Sequence, residues 1–268
     1  MRLAFTTLGC PDWTLERAIA AAEEYGYEGI ELRLLDGEVI TAALAVEQRE
    51  RVARCLAQSR IALVCLDTSV RLAQPDPQLH AEQLAEGRGM LDLAARWGAP
   101  MIRVFGGPPP EIAQDKAERA AAEMLALLAD RGRELGVAVM LETHDAFSRS
   151  DSVARVLAQV PSAHAGALWD TLHPCRFGEQ PAETLANLRG RVLHVHIKDG
   201  RPPADGGESW DLTLLGDGAV PFASIFAALR DVGYDGWLAV EWEKKWHPRL
   251  APPEVALPQH IAALRTLL

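Results

Sequence analysis

Ala165-Gly166-Ala167-Leu168-Trp169-Asp170-Thr171-Leu172-His173 and, after one helix-like segment, Val192-Leu193-His194-Val195-His196-Ile197-Lys198 decide how this chain is read. Each begins as a short apolar run and ends in polar residues. Runs of that length on either side of a helix read as strands covered on both faces, as in a parallel sheet. The first passes straight into Asp170 and His173, so a carboxylate and an imidazole stand just past a strand's carboxyl end, where parallel sheets carry chemistry. Side chains alternate across a strand, so His194, His196 and Lys198 share one face while Val195 and Ile197 take the other. Three polar side chains in a dry interior are costly unless something there needs them. A metal ion bound by oxygen and nitrogen would account for all three.

Outward from this centre, strand and helix keep alternating. Toward the amino terminus strands are read at Arg2–Thr6, Ile30–Leu34, Ile61–Asp67, Met101–Phe105 and Val137–Leu141, and toward the carboxyl terminus at Trp237–Val240. Helices are read from the Asp12 or Thr14 cap to Tyr25, then at about 43–58, 78–97, 113–135, 150–159, 181–188, 221–232 and 253–267. In the fourth, Ala120, Met124, Leu127, Leu128 and Leu135 form a stripe at helical spacing that should lie against a sheet. Eight strands alternating with eight helices, at a period of roughly 30 residues, predict an α/β fold with a single closed (β/α)8 barrel over residues 1–268. Strand four runs into Gly106-Gly107 and three prolines. The segment 200–218, rich in Gly, Pro and Asp, is too long for a routine connection and reads as an active-site loop over the mouth.

Composition sets limits. The 268 residues, 49% of them hydrophobic, can bury one large core. A formal charge of −10 argues against nucleic acid as a partner. Cys10, Cys55, Cys65 and Cys175 show no CxxC spacing and fit free thiols in a reducing compartment. The start, Met1-Arg2-Leu3-Ala4-Phe5-Thr6-Thr7, lacks the apolar run of a signal peptide, and no later run is long enough for a bilayer. The expectation is a cytoplasmic protein with no membrane partner.

Under this layout Glu142, Asp170, His196 and Glu241 fall at the carboxyl ends of strands five to eight. Three carboxylates cannot crowd together uncompensated at neutral pH, because each pushes the others toward protonation. One divalent cation resolves this, and the donor set suits Mn²⁺, Mg²⁺ or Co²⁺, with Zn²⁺ also allowed. Singly, each residue has a blander reading: a glutamate after a strand is usually a solvated loop carboxylate, Asp170 could cap a turn, and His194 could be a satisfied core residue. Four at equivalent strand ends are harder to dismiss.

Gly29-Ile30-Glu31-Leu32-Arg33, Glu142-Thr143-His144, Trp169-Asp170-Thr171-Leu172-His173, His194-Val195-His196-Ile197-Lys198-Asp199 and Val240-Glu241 together resemble the xylose isomerase-like TIM barrel superfamily. That superfamily includes sugar phosphate isomerases/epimerases, ketose 3-epimerases, inosose dehydratases and the type IV apurinic endonucleases. The resemblance implies that Glu142, Asp170, His196 and Glu241 bind one metal and that His173 contacts substrate. Departures narrow the choice. The endonuclease members hold three zinc ions with further histidines, whereas here strand three ends Leu66-Asp67-Thr68-Ser69, strand four ends Arg103-Val104-Phe105-Gly106, and Trp210-Asp211-Leu212 stands where Asp-x-His is expected. The ketose 3-epimerases carry an extra glutamate soon after the strand-five ligand, where this chain has Phe147-Ser148-Arg149.

The resemblance therefore implies a divalent-metal-dependent sugar or sugar-phosphate isomerase/epimerase acting on a small-molecule sugar. The cation would polarise a carbonyl and acidify the neighbouring C–H, leading to an enediolate. Glu142 and Glu241 could take and return the proton on opposite faces, and His173 and Lys198 could stabilise the developing oxygen anion, unless Lys198 is simply an exposed rim cation. Arg33, Arg103, His144 and Trp210 are expected around the substrate. The Arg pair would hold a carboxylate or phosphate unless each pairs with a barrel carboxylate such as Glu31. Trp169, Trp210, Trp242 and Trp246 would line the opening or else pack beneath the outer helices. Cys175 is read as a free thiol, not a nucleophile. The alternative is a keto-sugar or inosose dehydratase or lyase using the same enediolate, with His144 or Lys198 as acid. A sugar-binding barrel without turnover is a third reading. Barrels with exposed rim aromatics often associate, so a homo-oligomer is also expected.

Overall fold

The computed structural model describes residues 1–107, 112–204 and 209–268. The apolar runs become β1 (Arg2–Thr6), β2 (Gly29–Leu32), β3 (Ala62–Arg71), β4 (Met101–Phe105), β5 (Ala138–Glu142), β6 (Ala165–Asp170), β7 (Val192–Ile197) and β8 (Trp237–Val240). Each pairs in parallel with its sequence neighbour, and β8 closes the ring on β1 with Arg2 opposite Trp237. Parallel pairing requires a crossover after every strand. These are α1 (Leu15–Tyr25), α2 (Val46–Ala57), α3 (Pro77–Trp97), α4 (Gln114–Leu135), α5 (Ser150–Ala158), α6 (Pro181–Leu188) and α7 (Phe222–Asp231), with α8 (Pro253–Leu267) packing after β8. The closed (β/α)8 barrel expected from the pattern is the fold observed. Of the two candidate caps for α1, Thr14 serves, accepting a hydrogen bond from the Arg17 N–H.

The barrel interior is laid down in two layers. Ala4, Val64, Cys65, Met101, Met140, Leu168, Trp237 and Ala239 form a buried apolar cluster, the floor. Two residues further along the same strands come Thr6, Asp67, Arg103, Glu142, Asp170 and Glu241, all buried, because a strand returns to the same face every second residue. Glu31 follows Gly29 in the same way. A Cβ on Gly29 would meet Val64 Cγ2 at 2.6 Å and Trp237 Cζ3 at 2.9 Å, so only glycine fits there. The ladder shifts register between Ile30 and Glu31 and again between Ala167 and Leu168. Such bulges re-aim side chains beside sites; these two lie next to Glu31 and opposite His194.

Three local expectations change. β3 runs past Asp67 to Arg71, which pairs with Phe105. The second strand stops at Leu32, and Asp36-Gly37 (φ 51° and 86°) turns a hairpin between Leu34–Leu35 and Glu38–Val39. The 200–218 segment contributes to a second hairpin, Asp199–Arg201 against Asp211–Thr213. Its root is tied by the Asp199 carboxylate, which accepts from the N–H groups of Gly200, Gly216, Gly218 and Val220. The prolines at 108–110 and the middle of that segment, 205–208, lie outside the described residues. Among the described residues no helix is long and apolar enough to cross a membrane.

Candidate active site

Glu142 and Asp170 are the last residues of β5 and β6, His196 is one short of the end of β7, and Glu241 directly follows β8. Asp170 and Ala239 both stand opposite His196 in their ladders, so the four strand tips converge. One donor atom from each residue lies within 4.8 Å of the other three, and all four residues are buried. Both Glu142 oxygens and His196 Nδ1 have no hydrogen-bond partner among the described residues, while Asp170 Oδ2 and Glu241 Oε2 are met by the Lys198 ammonium. Asp170 Oδ1 accepts from the N–H groups of Leu172 and His173 (2.8 and 3.3 Å), capping the short helix Leu172–Arg176 and leaving Oδ2 for the centre. Three carboxylates and one imidazole aimed at one point fit a divalent cation.

His196 is oriented from behind. Its Nε2 lies 3.0 Å from Glu31 Oε2, which leaves Nδ1 facing Glu142 (3.4 Å) and Glu241 (3.7 Å). The other Glu31 oxygen contacts His194 Nε2. A carboxylate on the far nitrogen of a ligating imidazole sets its ring orientation and tautomer. His194 thus meets Glu31 through Nε2 alone, its Nδ1 buried with no partner among the described residues, and Glu31 stands behind His196 at the site.

Lys198 is buried, with Nζ 2.9 Å from Asp170 Oδ2, 2.6 Å from Glu243 Oε1 and in contact with Glu241. Arg103 is buried as well, its Nη1 3.4 Å from Glu142 Oε2 and its guanidinium 3.9 Å above the Phe105 ring. Arg33 Nη1 donates to the Asp67 carbonyl (3.0 Å) and to Ser69 Oγ (2.8 Å). Arg33 is thus hydrogen-bonded within the chain, whereas Arg103 Nε and Nη1 have no hydrogen-bond partner among the described residues, and neither arginine is paired with Glu31. His173 is buried with no partner on either ring nitrogen among the described residues. Its Nε2 is 3.7 Å from Asp170 Oδ2, and its ring meets that of His144 edge-on at 4.4 Å. His144 Nδ1 lies 2.8 Å from Asp145 Oδ1. Trp210 is half-buried just before the Asp211–Thr213 strand, and no described hydrogen bond ties it to the quartet. Trp169 and Trp242 pack in the interior, Trp242 donating to the Ala251 carbonyl, while Trp246 is exposed.

The charges divide by partner. Burial pushes every carboxylate here upward. In Glu142 the Arg103 charge, helped by His196, outweighs burial and lowers the pKa. In Glu241 Lys198 and His196 do so, holding it well below the usual range. Asp170 keeps the upward shift, to about 6, because Glu241 and Glu142 offset what Lys198 supplies. Asp67 also rises to about 6, through burial and the nearby Glu31. Burial, with Lys198 and His144 adding to it, presses His173 well below its ordinary value, so this imidazole is neutral. Burial alone would lower Lys198, but Asp170, Glu241 and Glu243 hold it well above its ordinary value. Asp67 and Glu243 had no role in the reading from sequence.

A family described as the xylose isomerase-like TIM barrel matches residues 19–267. The chain belongs to that family. An inosose dehydratase from Lacticaseibacillus casei is 30% identical over 149 residues, 50% of this chain and 50% of that protein. The chain thus matches about half the length of this curated relative. Two solved structures overlay nearly end to end. The IolI protein with a bound zinc atom has a TM-score of 0.85 at 19% identity, covering 100% of this chain and 98% of that one. A D-allulose 3-epimerase from Methylomonas sp., in complex with D-allulose, has a TM-score of 0.81 at 20% identity, covering 100% and 97%. At such identities the structural likeness speaks for the fold.

Proposed function

We propose that this chain is a divalent-metal-dependent enzyme that removes the proton beside the carbonyl of a keto-sugar or keto-cyclitol, with dehydration as the outcome. The observation that carries the reading is the quartet Glu142, Asp170, His196 and Glu241, with donor atoms within 4.8 Å of one another and Lys198 against two of its members. A divalent cation bound there would polarise the substrate carbonyl and acidify the adjacent C–H. Arg103 and Lys198 keep Glu142 and Glu241 ionised, so either carboxylate can accept that proton. Neutral His173 offers a free ring nitrogen to a substrate hydroxyl. Lys198, held protonated in a dry site, can donate to a departing hydroxyl.

This cationic acid favours elimination over inversion, which needs one of two opposed carboxylates to arrive protonated. The inosose dehydratase relative supports the same choice. Isomerisation or epimerisation is the second reading: it uses the same proton abstraction, with Glu142 and Glu241 on opposite faces. Manganese, magnesium, cobalt or zinc would suit the donor set. The test is to incubate the metal-loaded protein with inososes and keto-sugars in D₂O and follow products by NMR and mass. Loss of water supports dehydration, and deuterium uptake at unchanged composition supports epimerisation. Binding without exchange would leave a sugar-binding barrel. Glu241→Gln should abolish exchange while the circular dichroism spectrum stays that of the wild type. Full exchange in that variant would remove Glu241 from the chemistry.

A further inference from the structure

Glu243 stands outside the quartet but is wired into it. It belongs to the turn after β8, where its carbonyl accepts from the N–H groups of Trp246 (3.1 Å) and His247 (3.0 Å). That turn is clamped further by Lys244 Nζ, which donates to the Pro248 and Leu250 carbonyls. One Glu243 oxygen faces His247 Nε2 at 3.3 Å, and the other reaches inward to Lys198 Nζ at 2.6 Å. Lys198 touches Asp170 and Glu241 on its remaining sides. An ammonium and a divalent cation draw on the same carboxylate oxygens, so wherever Nζ rests decides how much of Asp170 and Glu241 is left to a metal ion.

We propose that Glu243 is a positioning residue: it offers the Lys198 ammonium a third carboxylate, so that Nζ can withdraw from Asp170 Oδ2 and Glu241 Oε2, which it touches here, when a metal ion takes those oxygens. This rests on the metal reading above. Its contribution runs through contact with Lys198 and not through the charge it adds to the neighbourhood.

The experiment is Mn²⁺ titration by calorimetry of the wild type, Glu243→Gln, Glu243→Asp, Lys198→Met and the Lys198→Met/Glu243→Gln double variant. Glu243→Gln should weaken Mn²⁺ binding about tenfold, the range of an outer partner to a metal site. Glu243→Asp keeps the charge but is one methylene short of Nζ, and should lose about as much. Lys198→Met should tighten binding, and on that background Glu243→Gln should change it by less than about twofold. Glu243→Asp binding like the wild type, or Glu243→Gln weakening binding equally with and without Lys198, overturns the proposal in favour of a bulk charge effect. Where Lys198→Met does not fold, the Gln and Asp variants alone decide. A wild-type protein that takes up no Mn²⁺, Mg²⁺, Co²⁺ or Zn²⁺ removes the metal reading and this proposal with it. Wild-type uptake with an additive cycle removes the proposal alone.

Discussion

Leu168 and Asp170 sit two residues apart on one face of β6, and both are fully buried. Around Leu168 lie Ala4, Val64, Met101, Met140 and Trp237, which ask nothing of one another beyond volume. Around Asp170 lie Lys198, His173 and the other carboxylates of the quartet, and each charge there is tolerable only because of its neighbours. Burying a leucine contributes about 1.5–3 kcal/mol wherever it fits. An ion pair in the same dry space is closer to neutral, since desolvation cancels much of the attraction. The floor therefore holds the barrel together, and the layer above it is retained for what it can bind.

Exchanging the two characters along β6 gives the largest expected contrast. Leu168→Asp puts a carboxylate among apolar side chains with no cation in the floor, and should exceed about 4 kcal/mol of destabilisation. Expression should yield little folded protein, judged by circular dichroism. Asp170→Asn keeps the shape and the cap on Leu172–Arg176, and Lys198 keeps Glu241 and Glu243. It should melt within a few degrees of the wild type yet bind Mn²⁺ weaker by on the order of 100-fold or more, beyond the 10–100-fold of an outer partner. A folded Leu168→Asp protein, or unchanged Mn²⁺ affinity in Asp170→Asn, would break the division between a supporting floor and a binding layer.

Glu31 tests the same division one step further from the centre. Glu31→Gln keeps the volume but leaves His196 with a weaker acceptor behind its ring, and should loosen Mn²⁺ binding by roughly 10–100-fold with the fold retained. Affinity equal to the wild type would make Glu31 a structural partner of His194 alone. That Glu31 acts here could not be read from the chain, since its partner His194 is 163 positions away and a glutamate between Ile30 and Leu32 looks the same whether it meets arginine or histidine. The same applies to Asp67 and Glu243, whose neighbours come from other strands. By contrast the barrel was legible, because apolar runs and helical stripes are local signals. Glu142, Asp170, His196 and Glu241 were legible as a group because equivalent strand ends must converge in a closed ring. The Asp36-Gly37 hairpin was also within reach, Asp-Gly being the pair that a tight two-residue turn prefers, but the strand pattern alone runs through it.

The smallest effect expected is on stability alone, at Asp67. This side chain lies directly above Cys65 of the floor, accepts a hydrogen bond from Thr6 Oγ1 (2.9 Å), and leaves Oδ1 without a partner among the described residues. Its pKa rises from 3.8 to about 6 in the folded chain, through burial first and the Glu31 charge second. A carboxyl group raised on folding favours the folded state while it is protonated, and that advantage is lost as pH climbs from about 4 through about 6. Above that range the ionised Asp67 is a liability, on the order of 1–3 kcal/mol for a shift of this size. Asp67→Asn should therefore match the wild type in urea unfolding near pH 4 and exceed it at pH 8, the gap opening between those values. Equal stability at both pH values would mean that Arg33 and Arg103 already compensate Asp67 in full. The upper layer would then be as settled as the floor, and charge burial would cease to distinguish them.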